Sequence, residues 1–586
     1  MQLDGLHRYH SRRSPVVARG GMVASSQPLA NAAGLRVLDA GGSAADAAVA
    51  VAAALQVTQP CSTGLGGDAF WLYFDAGERR VYAANGSGRS PVGLSVEAAV
   101  DAAQAARAAA GATGAGSGKG GHGAHSDRFL RLPPFHAHTV TVPGAAGAWE
   151  LLLERFGRLP RASVVAPAVR LAADGFPVAP ITAEWWTRGV HRQLAHFPHG
   201  HELMAGGAGA AGGGSAAGAT GGGNSVPRGP EPGETMRLPT LAWSIEQFGL
   251  YGAEPFYRGE IARRIVAAVQ AEGGVLSMED LAAHETLMVE PISLEYRGST
   301  VWECPPNGQG LAALVALGVV GEYEKSRGQD ASLHVMIEAM RLGFAAAAQY
   351  VADPDIAPAP VAELLSPGEL RVRAQSISDG HRLEVLPSPA PGAGGNDTVY
   401  FCTADREGNV CSFINSNFMG FGTGIVPEGC GFSLQNRGHG FVLDAGHANS
   451  YAPGKRPYHT IIPGMITAPD GTVTAFGVMG GMMQPQGHLQ TAVALLRDDI
   501  DPQSALDRPR FQLNEGEADG EVLLEAAAGP SATAPDALTA LGHTVRVIPE
   551  EERAIFGLGA IIRRTPDGTL WGASDPRGDG AAAGTV

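Results

Sequence analysis

Asn396-Asp397-Thr398-Val399-Tyr400-Phe401-Cys402-Thr403-Ala404 is the stretch on which the reading of this chain turns. A Pro/Gly-rich run at residues 387–395 precedes it, and such a run fits neither a helix nor a central strand. Residues 399–404 are β-formers, Asp405-Arg406-Glu407-Gly408-Asn409 has turn composition, and residues 410–415 form a second apolar run. The three pieces together predict a hairpin. A hydroxyl residue therefore stands where a flexible linker enters a buried strand. Scission before Thr398 would give that residue both a nucleophilic hydroxyl and a free amine, a pairing that activates a weak nucleophile. The same pattern also describes a threonine that merely opens an edge strand. Local sequence leaves both readings open.

The chain has 586 residues, enough for several domains or one large α/β unit with insertions. Its formal net charge is −16, without a run of like charge that would make a tail. Nucleic acid and an anionic membrane surface are excluded as partners, because both need a basic face. An anionic substrate would need local arginines acting against the overall field. The five cysteines, Cys61, Cys304, Cys402, Cys411 and Cys430, lack CxxC spacing, so neither a zinc site nor a disulfide framework is implied. Cys402 and Cys411 flank the hairpin turn in positions that would let them face each other. Residues 1–19 contain no apolar run of the secretory kind, and no transmembrane stretch stands out. The expectation is a soluble, cytoplasmic protein without metal or cofactor.

Working outward, residues 29–40 read as an Ala-rich helix closed by Gly41-Gly42. Ser43-Ala44-Ala45-Asp46 has the capping-box pattern and opens a helix to about residue 57, apolar nearly all round and therefore interior. Gly64-Leu65-Gly66-Gly67-Asp68-Ala69 imitates a dinucleotide fingerprint, but a strand (residues 70–74) follows where that motif requires a helix. Residues 103–128 and 205–234 are Gly/Ala/Ser-rich and read as disordered insertions. Gly118-Lys119 within the first is a P-loop near-miss, with Thr113 and Gly120 at the deciding positions. The histidines nearby, His122, His125, His136, His138, His199 and His201, lack metal-binding spacing. Residues 145–200 and 235–350 read as helical, with 261–272 the plainest amphipathic case and Ser277 opening the next element. Residues 301–304 read as a strand leading into a helix at 311–320. A strand at 473–478 is followed by Gly480-Gly481 and a helix from about 486 to 496. That order leaves free backbone N–H groups at a helix entrance, where an oxyanion can rest.

Taken together these segments resemble the γ-glutamyltransferase (glutathione hydrolase) family of N-terminal-nucleophile hydrolases. The likeness rests on Gly41-Gly42-Ser43-Ala44-Ala45-Asp46-Ala47, Phe256-Tyr257-Arg258-Gly259-Glu260-Ile261-Ala262 and Glu290-Pro291 with Tyr296-Arg297-Gly298. It continues through Pro305-Pro306-Asn307-Gly308-Gln309-Gly310, Phe421-Gly422-Thr423-Gly424, Gly454-Lys455-Arg456-Pro457 and Gly572-Ala573-Ser574-Asp575-Pro576-Arg577. It implies an α+β, four-layer αββα sandwich and a precursor that cuts itself between Asp397 and Thr398. The products would be a large subunit, 1–397, and a small catalytic subunit, 398–586, that stay together. It further implies Thr398 as nucleophile, Ser416 as a hydroxyl that holds the nucleophile and assists maturation, and Gly480 and Gly481 as the oxyanion hole. The cut itself makes the base: an α-amino group has a pKa of roughly 7.7–8.0, suited to proton transfer near neutrality, whereas an uncut amide cannot serve. The small-molecule substrate so implied is the γ-glutamyl amide of glutathione, resolved by water or an acceptor amine.

The departures concern substrate binding. Ser87 stands where the family has its carboxylate-binding arginine, with Arg89 nearby as a substitute. Phe418 stands where the family has an asparagine, with Asn415 and Asn417 close by. Gly440 replaces the acidic residue that grips an α-amine, and Arg437 enters the same loop. His459-Thr460 replaces a serine pair. Arg437 without an acidic partner suits a substrate with a distal carboxylate and no α-amine, such as a glutaryl or β-lactam side-chain amide. A non-catalytic, uncut binding protein is the reading from another class.

Overall fold

The computed structural model describes residues 13–112, 130–206, 226–384, 397–526 and 533–586. The predicted hairpin is present as strands Val399–Ala404 and Val410–Ser416, antiparallel, with Val399 opposite Asn415 and Ala404 opposite Val410. Neither strand lies at an edge. They sit inside a seven-stranded antiparallel sheet in the order Ala581–Thr585, Gly21–Ser25, Val399–Ala404, Val410–Ser416, Asp68–Asp75, Arg80–Asn85, Leu287–Val289. Segments from both sides of the Asp397–Thr398 bond thus alternate within one sheet. The reading of Thr398 as the opener of an edge strand is corrected by this order.

A second seven-stranded antiparallel sheet runs Val16–Ala18, Leu570–Ser574, Leu558–Arg564, Val473–Met479, Gly464–Thr467, Ser299–Glu303, Ile292–Tyr296. Strand side chains alternate between faces, and here each face is covered. Phe70, Tyr400 and Ile414 of the first sheet pack with Met465, Ala475 and Ile562 of the second. Their neighbours Trp71, Phe401 and Phe413 point the other way, into a cluster with helices Ala44–Thr58, Ala145–Phe156 and Arg161–Asp174. Phe476 and Ile561 likewise turn outward, toward helices Gly310–Arg327, Leu333–Tyr350 and Met483–Leu496. Burial on both faces explains why these strands read as continuous apolar runs rather than alternating ones. Gly477 lets the sheets close up: a Cβ there would stand 2.4 Å from the Tyr400 ring.

Local signals act as their chemistry requires. Ser43 accepts from the Asp46 amide while the Asp46 carboxylate accepts from the Ser43 amide, and Ser277 with Asp280 repeats the device. The helices at 29–40 and 261–272 form as Pro28–Asp39 and Glu260–Ala271, and the strand after Gly67 is Asp68–Asp75. Three expectations need correction. Residues 103–112, taken as disordered, belong to helix Val96–Ala112; the rest of that insertion, residues 207–225 of the other, and the linker at 387–395 lie outside the described residues. The helical reading of 235–350 is interrupted by strands Leu287–Val289, Ile292–Tyr296 and Ser299–Glu303. Cys402 faces Ser412, not Cys411, and the two cysteines fall on opposite faces of the sheet; all five are free and buried. Among the described residues, no helix is long and apolar enough to cross a membrane.

Candidate active site

Thr398 precedes the first hairpin strand and is buried, its Oγ1 donating to the carbonyl oxygen of Asp397 at 2.8 Å. Ser416, at the far end of the second strand, places its Oγ 3.1 Å from Thr398 Oγ1 and 3.2 Å from the same carbonyl oxygen. Ser416 Oγ accepts from the Phe418 amide at 2.9 Å and from Arg437 Nη2 at 3.3 Å. With both lone pairs filled, the hydroxyl has only its proton to offer, to Asp397 O or to Thr398 Oγ1. Asp397 is held from the other side, its Oδ2 accepting from the Gly420 amide at 2.9 Å, and burial pushes its carboxyl up to about 6. The bond before Thr398 is thus gripped at its carbonyl and at its side chain.

Arg437 continues the network. Its Nη1 donates to Thr460 Oγ1 at 2.7 Å, and its guanidinium lies 4.1 Å from the centre of the Phe418 ring. The side chain is fully buried, and among the described residues Nε has no acceptor and the polar partners are two neutral hydroxyls. Burial pushes this guanidinium down to about 9, with Asp68 acting the other way. Asp68 does not pair with it directly. Its Oδ2 takes His459 Nε2 at 3.0 Å, and its Oδ1 accepts from the Gly88 and Gly144 amides and from Gln435 Nε2. His459 is pushed down to about 4, by burial first and by Arg437 second, so it is neutral near neutral pH.

The Gly-Gly turn joins the same assembly through Gln309. Gln309 Nε2 donates to the carbonyls of Thr460, at 2.5 Å, and Gly481, at 3.0 Å, while Tyr458 fixes the amide by donating to Oε1. Gly480 and Gly481 have φ of +130° and +55°, conformations that glycine tolerates, and helix Met483–Leu496 follows them. Among the described residues neither glycine N–H has an acceptor. A hydroxyl beside the Asp397–Thr398 bond and a buried cation that among the described residues lacks a carboxylate are thus linked by hydrogen bonds, and Gly481 joins them through Gln309. Such a set can attack an acyl carbon and hold the charge that forms.

Against known proteins, the family profile described as Gamma-glutamyltranspeptidase matches residues 30–585. The chain belongs to the γ-glutamyltranspeptidase family. It is 33% identical over 573 residues to the glutathione hydrolase-like YwrD proenzyme of Bacillus subtilis, covering 97% of this chain and 99% of that one. To the oxamate amidohydrolase proenzyme of Klebsiella pneumoniae it is 33% identical over 579 residues, with 97% and 99% covered. The crystal structure of the cephalosporin acylase from Bacillus halodurans superposes with a TM-score of 0.80 at 39% identity, covering 99% and 98%. The chain is therefore an α+β hydrolase of the γ-glutamyltranspeptidase type, with proenzymes among its relatives.

Within this family member, Thr398, Ser416, Arg437 and Thr460 are brought into direct contact, and Gly481 reaches them through Gln309. His459 bonds Asp68, whose carboxylate touches none of these four side chains. Arg89, Asn415 and Asn417 are not brought in. Arg89 is held by Asp353 at 2.8 Å and Asp355 at 2.5 Å. Asn415 bonds Trp149 and the Gly64 carbonyl, and Asn417 lies against Gly67. Asn415 is on the strand face opposite Ser416, as a two-residue period requires, and Asn417 lies just past the strand's end. Sequence reading missed Asp68, Gln435 and Gln309 as site residues. Gln309 was within the Pro305–Gly310 match, and Asp68 within the rejected dinucleotide look-alike. Volume does not locate the site: a cavity of about 720 Å³ beside Arg297 and Glu324 and one of about 270 Å³ beside Arg89 and Arg456 are both lined without Thr398.

Proposed function

We propose that the chain is a precursor that cuts itself between Asp397 and Thr398, and that Thr398 then hydrolyses amides whose acyl group carries a free carboxylate. In maturation, Thr398 Oγ attacks the Asp397 carbonyl carbon, the peptide C–N bond breaks, and the hydroxyl proton passes to the departing nitrogen. Water cleaves the resulting ester, leaving the Asp397 carboxylate and a Thr398 that owns an α-amine. The contacts of Thr398 and Ser416 with Asp397 O support this order. Subunits 1–397 and 398–586 would remain joined because their strands alternate in the first sheet. The sequence of helices, sheet, sheet and helices supports the four-layer αββα reading.

In turnover, the amine takes the Thr398 proton as Oγ attacks the substrate carbonyl. The tetrahedral oxyanion rests on the N–H groups of Gly480 and Gly481. The C–N bond of the substrate breaks, the leaving amine takes the proton, and water resolves the acyl-enzyme.

The single observation behind the substrate class is Arg437: buried, cationic, and without a carboxylate of its own. A desolvated cation of this kind is stabilised by an anion from the ligand. The γ-glutamyl group of glutathione has such a carboxylate and remains the second reading, favoured by the family itself. Its α-amine lacks an evident partner, because Gly440 replaces the acidic residue and Asp68 is already engaged by His459, Gln435 and two backbone amides. Release of p-nitroaniline from its glutaryl, γ-glutamyl and pentanoyl amides, with ammonia release from oxamate, tests the choice. Turnover of glutaryl amide or oxamate above γ-glutamyl amide is expected. Dominant γ-glutamyl turnover selects the second reading, and pentanoyl turnover equal to glutaryl contradicts the carboxylate requirement.

A further inference from the structure

Far from Thr398, three buried side chains meet where helix Leu333–Tyr350 touches the loop before strand Val545–Ile548. They are His334, Glu338 and His543, whose ligand-type atoms all lie within 4.8 Å of one another. His334 and Glu338 are one helical turn apart on one face. His543 arrives from a distant part of the chain, which is why no spacing in the sequence discloses the group. We propose that His334 Nδ1, His543 Nε2 and Glu338 Oε1 form a divalent transition-metal site, with zinc the ion best matched to two imidazoles and a carboxylate.

The surrounding contacts orient the three groups. His334 Nε2 lies 2.8 Å from the Ser378 carbonyl, so it carries the proton and Nδ1 presents a lone pair. A carbonyl on the outer nitrogen is a common support for a ligating histidine. Glu338 Oε2 accepts from the Leu383 amide at 2.7 Å, and Oε1 lies 3.2 Å from Arg341 Nε. His543 Nε2 stands 2.8 Å from His334 Nδ1 and 3.6 Å from Glu338 Oε1. Tetrahedral zinc with Zn–N bonds of roughly 2.0–2.1 Å separates its ligand atoms by about 3.3 Å. The two imidazoles must therefore part by about half an ångström, and the metal takes the place of the proton between them.

That proton moves to His543 Nδ1, so the imidazole stays neutral and no proton is released. The move gives up the 3.5 Å contact between Arg341 Nη2 and His543 Nδ1. Arg341 keeps its acceptors at Ala518 O and Gly520 O, which hold its charge in place beside the site. Water completes the coordination. The irregular segment 377–384 packs on the site through the Ser378 carbonyl and the Leu383 amide and is exposed at Asp379, Gly380 and His381. The ion would fasten that segment to the loop carrying His543, reinforcing the Arg382 N–H to Leu541 O bond at 2.8 Å. This role does not depend on scission at Thr398.

The test uses untagged, chelator-stripped full-length protein titrated with Zn²⁺ and Co²⁺. We expect one equivalent bound per chain, a higher Tm, and at least tenfold weaker binding in His543→Gln and in His334→Gln. His199→Gln with His201→Gln, which removes a surface histidine pair, should leave binding unchanged. X-ray absorption of the wild-type cobalt form should require two imidazole ligands, a readout that stands even if the variants fold poorly. Absence of stoichiometric binding, binding unaffected by His543→Gln, or fewer than two imidazoles would overturn the proposal and leave a hydrogen-bonded histidine pair only.

Discussion

Arg89 and Arg437 approach the same question from opposite sides. Its place near the family's arginine position favours Arg89 as the residue that receives a substrate carboxylate. In the fold Arg89 already has two carboxylates, Asp353 and Asp355, and a side chain about one-third exposed. Arg437 is buried, leans on an aromatic ring, and bonds only hydroxyls. The difference teaches that availability for a ligand depends on what a charge lacks. An arginine with its counter-ion in place is part of the scaffold; one without is the candidate for a ligand.

Removing the unpaired guanidinium should have the largest effect. Arg437→Met is expected to lower kcat/KM for glutaryl-p-nitroanilide on the order of 10²–10³-fold, the scale for deleting one partner of a buried charge pair. The pentanoyl amide should fall less than about tenfold. Equal losses on both would erase the contrast between the arginines. Next in size, Ser416→Ala should slow scission about 10²-fold, as loss of one donor to a reacting carbonyl does; a time course on denaturing gels measures it. Arg89→Ala should change kcat/KM within about threefold while lowering Tm, because the buried Asp353 loses its guanidinium partner and keeps only the Arg456 and Asp355 amides, a cost of about 1–3 kcal/mol. Calorimetry with steady-state kinetics separates the two readouts.

Much of the end proposed as catalytic was legible because it is written in contiguous residues. Thr398 follows a linker, Ser416 ends the paired strand, and Gly480-Gly481 sits between a strand and a helix. Pairing fixed by an apolar pattern carries that information directly. The binding end is assembled from loops whose side-chain directions no local pattern encodes. Asn415 and Asn417 were near Ser416 in number, yet Asn415 falls on the other strand face and Asn417 lies beyond the strand, against Gly67. Asp68 looked like part of a glycine motif, and its role appears only when His459, Gln435 and two backbone amides converge on it. The glutamine that ties Gly481 to Thr460 was within a recognised motif, but its partners are far away in sequence.

The smallest expected effect concerns pH. The Asp397 carboxyl is raised from 3.8 to about 6 by burial in the uncut chain. A carboxyl with a raised folded pKa favours folding when protonated, fully below about 3.8, and that contribution is lost as pH rises through about 6. In the non-cutting variant Thr398→Ala, Tm should therefore carry a downward component between pH 4 and 7. Asp397→Asn in the same background should remove that component; an unchanged profile would contradict the assigned burial.

One measurement bears on the central claim most directly: a denaturing gel of freshly purified protein, with N-terminal sequencing of the smaller band and an amide-hydrolysis assay on the same sample. The account predicts two fragments, the smaller beginning at Thr398, with Thr398→Ala intact and inactive. A single unbroken polypeptide that still hydrolyses its amide would contradict it.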